Sequence, residues 1–289
     1  MVPAIVAILV VWGVYAIATK PSGKALSVDS TRLIVSSVTT GTFEDFIPIR
    51  GRVKPAKTVF LDAIEGGRVE RILVESLQHD RPGYGFLLEE GEEIKSEDPE
   101  KHRFIIDPID GTNNFMHGVP HFCMSIALQK GDDIIAGVIY DPIKDEMFYA
   151  ERGGGAFMND RRLRVSGRRD LNYCMVGTGA PSQRRTGRDY IERIQTVAQH
   201  VSCMRQGGSA ALDLAYVAAG RVDGYLEMGL KPWDTAAGEL IVIEAGGLVT
   251  DFVGGHNHAK SGNHVAGGTK VLREILKDIR PYLGDALAK

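Results

Sequence analysis

Two carboxylates three positions apart, Asp107 and Asp110, stand in the stretch FIIDPIDGTNNF (104–115), directly after the apolar run Phe104-Ile105-Ile106. Such a run reads as a buried strand that stops at Asp107, and strand ends are where α/β sheets present ligands. Pro108 stiffens the link, so the turn lets both carboxylates face one point, and the carbonyl of Ile109 can turn inward with them. Three oxygen donors on a rigid turn suit a hard cation such as Mg²⁺. Gly111 permits close backbone approach, and Thr112 is placed to cap a helix beginning at Asn113, whose free N–H groups would hold phosphate. A bare pair of this spacing is more simply an Asx turn with a helix cap, so the reading needs further acids.

Two stretches supply them. LLEEGEE places Glu89 and Glu90 after the apolar YGFLL, and KPWDTAAG places Asp234 at the start of a helix. Taken singly, Asp234 is an N-cap worth ~1 kcal/mol, and Glu89 to Glu93 form a solvated acidic loop. His256 and His258 have an H-x-H spacing but sit in a glycine-flanked loop, and no glycine cluster has the dinucleotide-binding spacing.

The elements that must position these groups follow from periodicity. FCMSIALQK, DIIAGVIYD and EMFYAERGGGAFMN read as a β-meander broken by the turns KGDD and DPIKD. CMVGT and VDGYLEM are strands. RDYIERIQTVAQHV has helical spacing, GSAALDLAYVAAG is a small-residue helix between Ser209 and Gly220, WDTAAGELIVIEAGG is a helix capped by Asp234, and TKVLREILKDIRPYL is a final amphipathic helix. Residues 32–74 alternate instead like strands, with a Gly-Gly turn, and suggest a small β-rich unit. Ahead of them, residues 2–18 form an uncharged apolar run near the lower limit for a bilayer span. Lys20 and Lys24 follow it, which favours keeping the bulk of the chain on the cytoplasmic face.

The 289 residues carry 34 basic and 37 acidic side chains, a formal charge of −3. That balance argues against a dedicated nucleic-acid binder, which needs a basic excess or stripe. Cys123, Cys174 and Cys203 are odd in number and scattered, as reduced thiols are.

Taken in order and spacing, EEG, DPIDGTNNF and WDTAAG resemble the inositol monophosphatase family of Mg²⁺-dependent, lithium-sensitive phosphatases. GVPHFCMSIAL, ERGGGAFMNDRRLRVS and the long stretch from Gly208 to Gly247 extend the likeness over roughly residues 80–285. The resemblance implies an αβαβα sandwich and hydrolysis of a phosphate monoester, first of all inositol monophosphate, by directly attacking water that the metal activates. Bisphosphate nucleotidase or fructose-bisphosphatase activity is the alternative within that superfamily. It further implies that Glu89, Asp107, the carbonyl of Ile109, Asp110 and Asp234 hold metal. Glu89 and Thr112 would position the water, Gly111 and Thr112 would hold phosphate through their N–H groups, and Asp110, Ser209, Ala210 and Glu227 would meet the substrate. A homodimer is left open.

Two departures stand out. The family's opening helices carry an Asp-x-x-x-Glu segment whose Asp supports the metals, and no match to it is evident here. In its place EGGRVERILVE resembles the half-motif that opens the lipoyl-like domain of periplasmic adaptor (membrane fusion) proteins. The resulting expectation has three parts: a transmembrane anchor (1–20), a β-rich adaptor-like segment (21–78), and a phosphatase-like domain (79–289) lacking its first helices. Its non-catalytic rival is a disabled, adaptor-like fusion fragment.

Overall fold

A computed structural model describes residues 63–179 and 188–283. The first described element is helix α1 (Ala63–Asp80). Glu70, Leu73, Val74 and Leu77 recur on it at i, i+3, i+4 and i+7, one face of a helix. The three apolar members pack on Phe86, Leu88, Phe104 and Ile106. They are partly buried, so each contributes less than the roughly 1.5–3 kcal/mol of a fully buried side chain.

This corrects the β-rich reading for residues 63–78. The Gly66-Gly67 pair reads as a hairpin turn, yet both glycines lie inside the helix, which runs across the expected boundary at 78/79. The chain therefore does have a helix ahead of the Glu-Glu loop. The apolar run 2–18 and the rest of the adaptor-like segment lie outside the described residues. Among the described residues no helix is long and apolar enough to cross a membrane. The expectation of a membrane-anchored protein held at the cytoplasmic face is accordingly withdrawn.

Seven strands follow in a sheet whose spatial order is the sequence order. They are β1 (Gly85–Leu88), β2 (His102–Asp110), β3 (Cys123–Lys130), β4 (Asp133–Asp141), β5 (Glu146–Glu151), β6 (Gly155–Met158) and β7 (Arg161–Arg162). Only β1 and β2 pair in parallel; the rest form the expected meander. Strand β2 does not stop at Asp107. It continues to Asp110, and its register against β3 slips between those two residues. Pro108 has no N–H to give to a ladder, so a bulge is where a strand tolerates it.

The second sheet has the order β11-β12-β10-β8-β9. Its strands are β8 (Met175–Thr178), β9 (Cys203–Arg205), β10 (Gly224–Glu227), β11 (Leu248–Thr250) and β12 (His264–Gly267). Helices α4 (Ala210–Ala218) and α5 (Pro232–Glu244) lie between the two sheets. Their small residues allow close approach: a Cβ on Gly137 of β4 would sit 2.9 Å from the Cα of Ala237. Helices α3 (Arg188–His200) and α7 (Thr269–Ile279) cover the far side of the second sheet. Helix, sheet, helices, sheet, helices is the layered α/β arrangement expected from the sequence. The short helices α2 (Thr112–Met116) and α6 (His258–Ser261) complete the described elements that matter here.

Candidate active site

Two layers, the first sheet and the helices packed on it, deliver acids to one place. The bulged end of β2 brings Asp107 and Asp110, and the first turn of α5 brings Asp234. Each of the three offers a carboxylate oxygen, and these oxygens all lie within 4.8 Å of one another. Glu89, just past β1, hydrogen-bonds with Asp107.

The local chain explains the placement. Asp107 is 1% exposed, and its Oδ1 accepts the Ile109 N–H at 2.9 Å. Asp110 accepts the Ser209 hydroxyl at 2.5 Å and the Ala211 N–H at 2.8 Å, which ties the end of β2 to the start of α4. Ser209 is the N-cap of α4, as expected, and its Oγ also accepts the Leu212 N–H. Asp234 is not the N-cap of α5. Lys231 holds that position, Pro232 opens the helix, and Asp234, two residues further on, accepts the Lys231 N–H at 2.7 Å. Thr112 does not cap a helix either: its hydroxyl donates to the Ile109 carbonyl at 3.1 Å, and α2 begins at Thr112 itself. Gly111 has φ +94°, and a Cβ there would meet the carbonyls of Gly208 and His121 at a tight 3.2 Å, so a side chain is disfavoured on both counts.

The electrostatics are those of crowded, desolvated anions. Burial, then the Asp110 charge and contact with Glu89, push the Asp107 carboxyl far above the ordinary range. Burial raises Asp110 to about 6 against the hydrogen bonds it accepts. Asp234 also rises to about 6, chiefly by burial, with the Asp110 charge adding to it. Burial and the neighbouring acids raise Glu89. Among the described residues none of the three aspartates is in an ion pair. The donors are hard oxygens, and a divalent cation among them would reverse each of these shifts.

Glu227, at the end of β10, is held by the Tyr225 hydroxyl, and burial lifts it to about 7. It packs against Gly179, where any Cβ would collide with its carboxylate. Thus Asp107, Asp110, Asp234 and Glu89 are brought together, and Ser209, Ala210, Gly111 and Thr112 adjoin them through Asp110 and the β2 turn.

Sequence reasoning missed Glu70. It lies on the buried stripe of α1, 4% exposed, and accepts the Glu90 N–H at 3.1 Å, fixing the Glu89-Glu90 loop against the helix. The signal was available as an acid at an apolar-stripe position. Four residues earlier on the same face stands Gly66, whose Cβ would lie 3.0 Å from the Glu90 Oε1. The family's Asp-x-x-x-Glu is therefore matched by Gly66-x-x-x-Glu70, with the Glu present and the Asp absent. Asn114 was also passed over; its amide donates to the carbonyls of His121 and Gly207, tying the β2 turn to the loop before α4.

Known proteins share the fold and much of the sequence. An inositol-1-monophosphatase of Mesorhizobium japonicum is 50% identical over 217 residues, 75% of this chain and 81% of that protein. The Nus factor SuhB of Escherichia coli K12 is 45% identical over 222 residues, 76% of this chain and 82% of that one. The crystal structure of the extragenic suppressor protein SuhB of Bartonella henselae superposes with a TM-score of 0.73 at 50% identity, covering 74% of this chain and 83% of its own. The layered sheets with an acid cluster at their junction thus mark a phosphoric monoester hydrolase. The sequence profile of the inositol monophosphatase family matches residues 65–282, and this chain belongs to that family. The matched span takes in all of EGGRVERILVE, which folds as part of α1, and nothing supports the adaptor resemblance.

Proposed function

We propose that this chain hydrolyses inositol monophosphate with Mg²⁺ as cofactor. The observation that carries the reading is the convergence of Asp107, Asp110 and Asp234, none of them in an ion pair among the described residues, a donor set suited to a hard divalent cation. Glu89, Asp107, the Ile109 carbonyl, Asp110 and Asp234 would hold it. Once bound, the cation supplies neutralisation of the acids and activation of the attacking water.

The chain's own groups do the rest. Glu89 and the Thr112 hydroxyl orient the water for in-line attack on phosphorus. The N–H groups of Gly111 and Thr112 hold phosphate oxygens, and Asp110, Ser209, Ala210 and Glu227 meet the polyol hydroxyls. A Glu227 carboxyl near 7 can accept or donate to a hydroxyl at neutral pH. Glu70 positions Glu89 through the backbone of the loop. The catalytic domain starts with α1, near residue 63, in this reading.

The test is phosphate release from inositol 1-phosphate by the purified chain, with Mg²⁺ and with chelator. Release that requires Mg²⁺ and disappears in Asp110→Asn is expected. Release indifferent to chelator, or undiminished in the variant, refutes the assignment.

A further inference from the structure

A second recess, of about 230 Å³, lies at the opposite end of α4 from the acids, and Arg161, Arg162, Arg164 and Arg221 line it beside Met158 and Ala219. Nine residues of helix at ~1.5 Å each put roughly 13 Å between the two ends, so the recess is separate from the acidic centre.

Its charge is unbalanced. Arg221 is held in a fork, Nη1 to Glu146 Oε2 at 2.6 Å and Nη2 to Oε1 at 2.7 Å. Its guanidinium also lies over the rings of Phe148 and Tyr216. Glu146 thus answers one arginine. Among the described residues Arg161, Arg162 and Arg164 stand in no ion pair with an acid; Arg164 reaches only the Leu163 carbonyl, at 3.3 Å. The other acids near these strands are engaged elsewhere. Glu244 accepts the N–H groups of Gly153 and Gly155 at 2.7 and 2.9 Å, and Asp160 accepts the Tyr149 hydroxyl at 3.0 Å. The C-terminal end of α4 offers only about half a negative charge. Among the described residues Glu146 is thus the one carboxylate ion-paired with any of the four arginines that line the recess.

The shape narrows the ligand. Organic ligands occupy pockets of about 300–1,000 Å³, and this recess is smaller. Guanidinium forks match tetrahedral oxyanions in geometry as well as charge. We propose that the recess binds a compact phosphate-type oxyanion, orthophosphate or pyrophosphate, independently of the catalytic acids. This binding does not depend on the hydrolytic reading above.

The experiment is calorimetric titration of pyrophosphate into the full chain in EDTA, so that no divalent ion recruits phosphate to the carboxylates. Wild type and Asp107→Asn are expected to bind alike. Arg161→Gln/Arg164→Gln is expected to bind at least about tenfold more weakly, with its melting temperature in EDTA unchanged. Should that double variant melt early, Arg161→Gln alone takes its place, and a loss of about threefold or more is the supporting result. Undiminished affinity in the variant, or no binding by wild type at millimolar pyrophosphate, overturns the proposal. So does a change of affinity in Asp107→Asn, tighter binding above all, since the anion would then be sensing the acids.

Discussion

Replacing Asp213 by Asn is expected to stabilise the protein, and to do so in a pH-dependent way. Asp213 lies inside α4, 4% exposed. Burial first, then the charges of Glu227 and Asp110, raise its carboxyl from 3.8 to about 8. Between those values the folded chain keeps a proton that the unfolded chain has released, so stability falls as pH rises through the window. At pH 7 the stretch from 3.8 to 7 counts, roughly 3 units at ~1.36 kcal/mol each, an upper bound of ~4 kcal/mol. Structural relaxation and water near the carboxyl reduce this to about 1–2 kcal/mol, because effective interior dielectrics are well above the dry-protein value. Asn has the same shape and no titration. The variant should melt about 2–8 °C higher at pH 7 to 8 and gain much less at pH 5. The assay is thermal and urea unfolding of both forms across pH 5 to 8 in EDTA. A gain of equal size at every pH, or a loss of stability at pH 8, refutes the reasoning.

Three further perturbations have defined outcomes. Mg²⁺ at about a hundredfold its dissociation constant should stabilise the wild type by ~2.7 kcal/mol, and Asp110→Asn should blunt that gain while keeping the fold; an equal Mg²⁺ shift in melts of the variant excludes Asp110 as a ligand. Gly67 lies in the second turn of α1, and a methyl group there would meet nothing within 4 Å, so Gly67→Ala should raise stability by ~0.5–1 kcal/mol in urea titrations. Burial favours a raised Glu239, but hydrogen bonds from His258 and His264 overcome it and bring the carboxyl down to about 2. That stability is present above the unfolded carboxyl pKa and lost as pH falls through 2. Glu239→Gln should therefore cost about 2–3 kcal/mol at pH 6, measured by urea unfolding, with the cost shrinking toward pH 3.

The meander and the later helices were legible because their signals are local. β3 to β6 alternate with clear turns between them, and α4, α5 and α7 have caps or stops that the sequence spells out. Helix α1 was not legible for a local reason as well. Two glycines lower helix propensity by ~1 kcal/mol each, and they mask a stripe made of Glu70, Leu73, Val74 and Leu77, the last three partly buried. Packing on Phe86 and Phe104 overrides the propensity, and that partner surface is distant in sequence. The acids Asp107, Asp110 and Asp234 were found through their motifs, yet the detail of their support was not. Whether Asp234 or Lys231 opens α5, and where the Thr112 hydroxyl points, depend on dihedral angles that residue type alone does not set. Glu70 shows the same limit, because its role appears only once the helix is laid against the Glu89-Glu90 loop.

The strand order of the two sheets has a consequence for synthesis. In the first sheet every strand pairs with its sequence neighbour, so the meander has short loops to close and is expected to form early. Its inner face, with Ile105, Ala127, Ile139 and Phe148, is covered by α4 and α5. Helix α5 ends at Glu244, some 93 residues after the end of β5 at Glu151. At translation rates of about 5–20 residues per second, that face stays bare for roughly 5–20 seconds on each ribosome. The nascent chain thus passes through a period in which a paired but half-covered sheet is offered to solvent.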